Sequence, residues 1–225
     1  MESGKRVLVI GGSGRTGKLV IKELLQRGHE VTALVRNPDA MANEIGSGLK
    51  TTTGTPLKQQ NVRDAFKQSN PEVVIVTLSA PRASDSPFAA VVSPPRLMAD
   101  STANVVAVMK EFNTSKIVIM QAFGVGESWR NLHCVMQLLM KQSNMIYQYN
   151  DHNLVAKETE ASGEKFVFVR PSRLEEGEAT QIKEWAHDGK GVPMLAAISR
   201  GSVARFLVKA AESDTWDGTA PVITN

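Results

Sequence analysis

The stretch VLVIGGSGRTGKLV, residues 7–20, limits what this chain can fold into more than any other. The apolar run KRVLVI (5–10) is short and unbroken, as expected for a parallel strand covered on both faces. Glycines follow at every third position, at Gly11, Gly14 and Gly17. RTGKLVIKELLQRG (15–28) then sets Leu19, Val20, Leu24 and Leu25 on one helical face, with Gly28 as its stop. Strand, glycine turn and helix in this order form a cradle for the diphosphate of a dinucleotide. Gly11 permits the tight turn, Gly14 lets the backbone approach the phosphates, and Gly17 lets helix and strand pack closely. The anion would sit at the helix N-terminus, where free N–H groups and the helix dipole favour negative charge.

The same letters, started at Gly12, nearly spell the phosphate loop G-x-x-x-x-G-K-[ST] of nucleotide hydrolases and kinases. That loop needs a hydroxyl at its last position to hold magnesium, and Leu19 has no ligand atom. The strands EVVIVTLSA (72–80) and KIVIMQAF (116–123) also end without the aspartate such a metal requires. The dinucleotide reading is the one that fits.

Strand and helix patterns alternate through the rest. Strands are expected at 29–36, 49–54, 72–78, 116–122 and 165–172, and helices at 61–69, 96–112 and 131–161 (broken near QSNM). Alternation of this kind predicts an α/β fold, a Rossmann-like doubly wound parallel sheet with helices on both faces. The whole chain, 1–225, reads as a single nucleotide-binding domain with a small C-terminal appendage on the substrate side. Segments 79–96 and 170–195 break the rhythm and leave the carboxyl ends of strands, so they are expected as pocket walls or lids.

Composition excludes several other roles. The 26 Lys and Arg against 23 Asp and Glu give a net charge of only +3, with no basic block or basic-aromatic stripe, so no nucleic-acid partner is expected. No apolar run approaches membrane-spanning length and the start lacks a signal-peptide layout, so no membrane partner and a cytoplasmic location are expected. Cys134 is the only cysteine, which excludes an internal disulfide, and the Asn113-Thr114-Ser115 triplet is expected to be unglycosylated. Four scattered histidines offer no metal-ligand spacing, so no metal is expected.

The end of the second strand selects among nucleotides. An acidic residue there would bind a free ribose 2′-hydroxyl, but this chain has LVRNP with Arg36. A guanidinium fork suits a 2′-phosphate, and Arg15 in the glycine loop can meet the same group. NADPH is therefore expected over NADH.

GGSGRTG, VTALVRNP, KIVIMQAFGVG, DHNLVAKETEASG and VRPSRL together resemble the atypical short-chain dehydrogenases with an NAD(P)-binding, NmrA-like domain, and within them the branch of biliverdin and flavin reductases. The resemblance covers nearly the whole chain, since ISRGSVARFLVKAAE (198–212) matches the family's last helix. It implies NADPH contacts at Gly11, Ser13, Gly14, Arg15, Thr16, Gly17 and Arg36, and in the loop after strand four at Leu78, Ser79 and Arg82. It also implies that Lys157 holds the nicotinamide ribose. The family's Tyr-x-x-x-Lys becomes Asn153-x-x-x-Lys157, and its serine after strand five becomes Gln121, so both usual acid–base groups are replaced.

Candidate catalytic groups are then His152, Lys157 and Gln121. His152 can supply a proton because its ordinary pKa lies near 6.5, or it can be a helix-start residue paired with Asp151. Gln121 can donate an amide hydrogen bond to nicotinamide or substrate, or simply end a strand. Three functions stay open: NADPH-dependent reduction of a flat conjugated small molecule (flavin-, quinone- or tetrapyrrole-like, or a secondary metabolite), a non-redox cyclisation, isomerisation or dehydration on the same fold, and an NADP(H)-sensing regulator. A monomer or weak homodimer is expected.

Overall fold

Along β1 (Arg6–Ile10) the side chains alternate between two cores: Val7 and Val9 enter one, Leu8 and Ile10 the other. β4 (Val73–Val76) repeats the pattern, Val73 and Ile75 against Val74 and Val76. This is period-two geometry with both faces apolar, which requires a helical layer on each side of the sheet. A computed structural model describes residues 4–39, 41 and 48–225 and contains both layers.

The chain runs β1, α1 (Arg15–Gln26), β2 (Glu30–Val35), β3 (Leu49–Thr53), α2 (Gln59–Ser69), β4, α3 (Leu97–Phe112) and β5 (Lys116–Met120). After a 3₁₀ turn at Gly126–Asn131 come α4 (Cys134–Gln142), α5 (Met145–Ala161), β6 (Phe166–Pro171), β7 (Arg173–Glu175), β8 (Lys183–Trp185), β9 (Ala197–Ser199), α6 (Arg200–Glu212) and β10 (Val222–Thr224). The main sheet has the order β3-β2-β1-β4-β5-β6-β10-β8, parallel except for β8, which pairs antiparallel with β10. β7 and β9 form a separate parallel pair. Helices α1 and α6 pack on each other over one face, and α3 and α5 over the other. The fold is the Rossmann-like doubly wound sheet that the alternation predicts.

Two regions differ from the sequence expectation. The segment 170–195 is not all loop, since it carries β7 and β8, and the chain's last residues form the inner strand β10. Each of these strands has three residues, too few for periodicity to register. The helical stretch 131–161 breaks at Ser143–Asn144 into α4 and α5, where the interruption near QSNM is expected, while Asn131 belongs to the 3₁₀ turn and α4 starts only at Cys134. At the far end of the sheet the buried Lys116 ammonium is held by Asp214 (3.1 Å) and Asp217 (2.6 Å), which tie the N-terminal end of β5 to the segment after α6. Pairing of this kind is what makes a buried charge tolerable.

Candidate functional site

β1 and β4 are neighbours, but the chain leaves them toward opposite edges of the sheet, so a crevice opens beyond their carboxyl ends. It has a volume of about 360 Å³ and is lined by the glycine loop, the segment after β4, the ends of β5 and β6, and one face of α5.

The glycine turn is built by close backbone approach. Gly11 has φ +86°, and a Cβ there would come within 2.9 Å of the Thr77 carbonyl carbon. Gly14 N donates to Gly11 O at 3.0 Å, and Thr77 Oγ1 donates to Gly11 O at 3.1 Å. A Cβ on Gly17 would overlap the Gly11 carbonyl oxygen. Gly14 differs: the only near neighbour of an added Cβ would be Gly11 O at 3.3 Å, so the space beyond it is open. Gly14 is the N-cap of α1, no side chain caps that helix, and its first turn has no acidic residue. Open space in front of an uncapped helix N-terminus fits a diphosphate.

Arginines surround this turn. Arg15 reaches Asp85 Oδ1 (3.1 Å) and Glu176 Oε1 (3.4 Å). Arg82 donates weakly from Nη2 to Asp85 O (3.5 Å), while its Nε and Nη1 are buried without partners among the described residues. Arg36 stands exposed just past β2, two residues after Leu34, whose strand partner is Ile10. It therefore lies at the same end of the sheet as the glycine loop, with no ion-pair partner among the described residues. Leu78 and the exposed Ser79 line the crevice, and Ser13 is exposed on the loop. The segment 79–96 folds back on itself, with Ala83 N donating to Ala90 O at 2.9 Å. Its tip is fastened by Asn144, whose amide groups donate to the carbonyls of Pro87, Phe88 and Ala89.

The α5 wall departs from the sequence reading. Its crevice face carries Gln148 and His152, four residues apart. Lys157 is exposed and absent from the lining, because five residues past His152 lies about 140° around the helix. Asn153 is exposed too, and its Oδ1 accepts from Gly126 N at 2.8 Å. The structure thus does not bring the Asn153–Lys157 pair to the site. His152 is mid-helix, not at a helix start, and Asp151 does not pair with it. The Asp151 carboxylate instead accepts from Met98 N (2.8 Å) and Ala99 N (3.0 Å), capping the start of α3.

His152 is 3% exposed and its Nδ1 has no partner among the described residues. Burial, helped by the nearby Arg170 charge, lowers its pKa to about 4. The ring is neutral at pH 7, which corrects the expectation of an imidazolium donor with an ordinary pKa. Gln121 is also committed: its Nε2 donates to His152 O (3.2 Å) and its Oε1 accepts from Arg170 Nε (3.2 Å). Arg170 is fully buried, with Nη1 shared between His187 O (3.2 Å) and Glu127 Oε1 (3.1 Å). Gln121 therefore locks the end of β5 to α5 and β6, and one amide hydrogen is left for a ligand. Tyr149 is no substitute for the missing phenol, since burial pushes it up to about 12 and its hydroxyl donates to Phe123 O.

Among the crevice residues that sequence reasoning missed, two carry polar groups of note. Ser172, just past β6, has a buried hydroxyl with no partner among the described residues. Arg200, the first residue of α6, reaches Thr16 Oγ1 at 3.1 Å. A hydroxyl at a strand's carboxyl end was the available signal for Ser172. For Arg200 the signal was a helix start whose Ser199 accepts from Ser202 N.

Residues 11–214 match the NAD(P)H-binding family, and the chain belongs to that family. Over 114 residues it is 32% identical to a 3-diazoavenalumate denitrifying reductase from Streptomyces, a stretch covering 50% of this chain and 36% of that one. The chain thus spans about a third of the length of that curated relative. Among solved structures, the anaerobilin reductase ChuY of Escherichia coli superposes with a TM-score of 0.77 at 17% identity, covering 97% of this chain and 96% of that one. A short-chain dehydrogenase/reductase of Veillonella parvula in complex with NADP gives 0.75 at 14% identity, over 98% and 94% of the chains. These two likenesses are of fold. No helix among the described residues is long and apolar enough to cross a membrane.

Proposed function

We propose that this chain is an NADPH-dependent reductase that delivers hydride to a flat conjugated small molecule of flavin, quinone or linear tetrapyrrole type. The observation that carries the reading is one crevice holding both an uncapped helix N-terminus ringed by arginines and a wall of unpartnered polar groups. Gly14, Arg15 and Thr16 would hold the diphosphate. Arg36 would meet the 2′-phosphate, with Leu78, Ser79 and Arg82 along the nucleotide. When bound, NADPH supplies the hydride. The chain's part is to orient the nicotinamide against the substrate and to exclude water.

Met120, Ala122, Pro171 and Leu174 give the inner crevice an apolar surface suited to a flat ring system. His152, neutral at pH 7, acts there as a hydrogen-bonding group through Nδ1, and Ser172 Oγ offers a second. With no tyrosine in the lining and no imidazolium, no strong protein acid faces the substrate, and the proton comes from solvent. An electron-poor conjugated acceptor tolerates that arrangement better than an isolated ketone does. The test incubates the full chain with NADPH and a panel of flavins, quinones and linear tetrapyrroles, following absorbance of the reduced nicotinamide. Consumption with at least one acceptor is expected. Tight nucleotide binding without consumption overturns the reductase reading in favour of a non-redox enzyme or a sensor.

A further inference from the structure

The mouth of the crevice carries a charge arrangement that the glycine loop does not explain. The Arg200 side chain is only 12% exposed and lies over the first turn of α1, with Nη1 donating to Thr16 Oγ1. Its Nε donates to Glu176 Oε1 at 2.9 Å. The same carboxylate oxygen lies 3.4 Å from Arg15 Nη1. One oxygen is therefore shared by two guanidinium groups, in front of a helix that supplies no acid or cap of its own. Glu176 follows β7, so the carboxylate comes from the opposite rim of the crevice.

Two guanidinium groups and a helix N-terminus all favour an anion at one place. A carboxylate offers that place a single charge, whereas a diphosphate offers two charges and more acceptor oxygens. The donors cannot serve both fully at once. Glu176 remains 68% exposed, so solvent screens its pairing and displacement costs little. Deeper in the crevice, the buried His152 Nδ1 and Ser172 Oγ lack partners among the described residues, an independent sign that the cleft is shaped for a ligand.

We infer that Arg200 and Arg15 form a diphosphate clamp, and that Glu176 is a built-in competitor that occupies the clamp and yields it to the nucleotide. The inference rests on the dinucleotide reading above. It adds Arg200 to the binding residues and assigns Glu176 the task of limiting affinity and easing nucleotide release. NADPH and NADH carry the same diphosphate, so both residues act alike on the two nucleotides, whereas Arg36 discriminates between them.

Titration calorimetry of the full chain with NADPH and, separately, NADH tests this. Arg200→Ala is expected to weaken both nucleotides about ten- to a hundredfold, the scale of a lost charge-assisted bond. Glu176→Gln keeps the acceptor oxygen but removes the charge, and is expected to tighten both about two- to fivefold, the scale of a screened surface pair. In the Arg200→Ala background the gain from Glu176→Gln should shrink. Glu176→Gln carries the test alone if Arg200→Ala fails to fold. Unchanged affinity in Glu176→Gln, with wild type binding and Gly14→Val not binding, overturns the competitor and leaves the dinucleotide reading standing. A folded wild type that binds neither nucleotide overturns both.

Discussion

The glycine turn after β1 and the α5 wall face the same crevice, yet their residues are determined by different physics. The turn is set by its own backbone: Gly11 needs a positive φ, and Gly17 must lie against a carbonyl oxygen. These requirements are local, so they show in the order of letters. The wall is set by packing. Which helix face meets the crevice depends on how α5 lies against α3 and the sheet, and a shift of one residue turns a side chain about 100° away. A site can thus have a half that is written in sequence spacing and a half that only the assembled core decides.

The sharpest way to break this comparison is to place side chains on the turn. Gly17→Ala should have the largest effect, because its Cβ overlaps Gly11 O and crowds Thr77 Oγ1 at 2.9 Å. Overpacking of this kind costs about 1–3 kcal/mol, and the displaced turn should lose nucleotide binding as well. Gly14→Val should lower the melting temperature far less than Gly17→Ala, since φ −74° suits any residue and its Cβ only presses Gly11 O at 3.3 Å, but nucleotide binding should fall more than about a hundredfold. Thermal melts and titrations of the two variants separate fold from cradle. Normal NADPH affinity in Gly14→Val would remove the diphosphate from this turn.

The same division explains what was legible. The doubly wound sheet was readable because β1, β4 and β5 are continuous apolar runs and α1 is strongly periodic. β7, β8 and β10 were not, because three residues make no period. His152 was visible as a crevice residue, but its neutrality was not, since that follows from burial and from Arg170, eighteen residues away in sequence and close in space. Lys157 lies off the crevice face because motif spacing does not specify how the helix is rotated against the sheet.

His152 sharpens the comparison from the packed side. Its pKa is about 4 in the fold and about 6.5 when unfolded, so between those pH values only the unfolded chain takes up the proton. Stability should therefore fall as pH drops from 6.5 toward 4, and this group contributes no slope above 6.5. Chemical denaturation at pH 7 and pH 4.5 should show wild type losing roughly 2–3 kcal/mol more than His152→Gln does. Equal losses in the two proteins would mean that the ring is not buried in its neutral form. Arg36 acts outside the packed core, and its effect should be smaller and purely on ligand. Arg36→Ala should weaken NADPH about tenfold, leave NADH nearly unchanged, and leave the melting temperature alone. Equal wild-type affinity for the two nucleotides would sink that assignment.

The smallest expected effect falls on the residue for which the family pattern expects a large one. Lys157 is exposed, lies outside the crevice lining, and has no hydrogen-bond or ion-pair partner among the described residues. An exposed, unpaired lysine on a helix contributes little to stability, and alanine is a slightly better helix former at the same place. Lys157→Ala should therefore change NADPH affinity and turnover less than about twofold, with stability within ~0.5 kcal/mol of wild type. His152→Ala in parallel should lower turnover, because it removes a buried group from the crevice wall. If Lys157→Ala instead weakened NADPH tenfold or more, the helix would have to rotate when nucleotide binds. The packed half of the site would then be adjustable, and the contrast with the glycine turn would lie in mobility as well as in legibility.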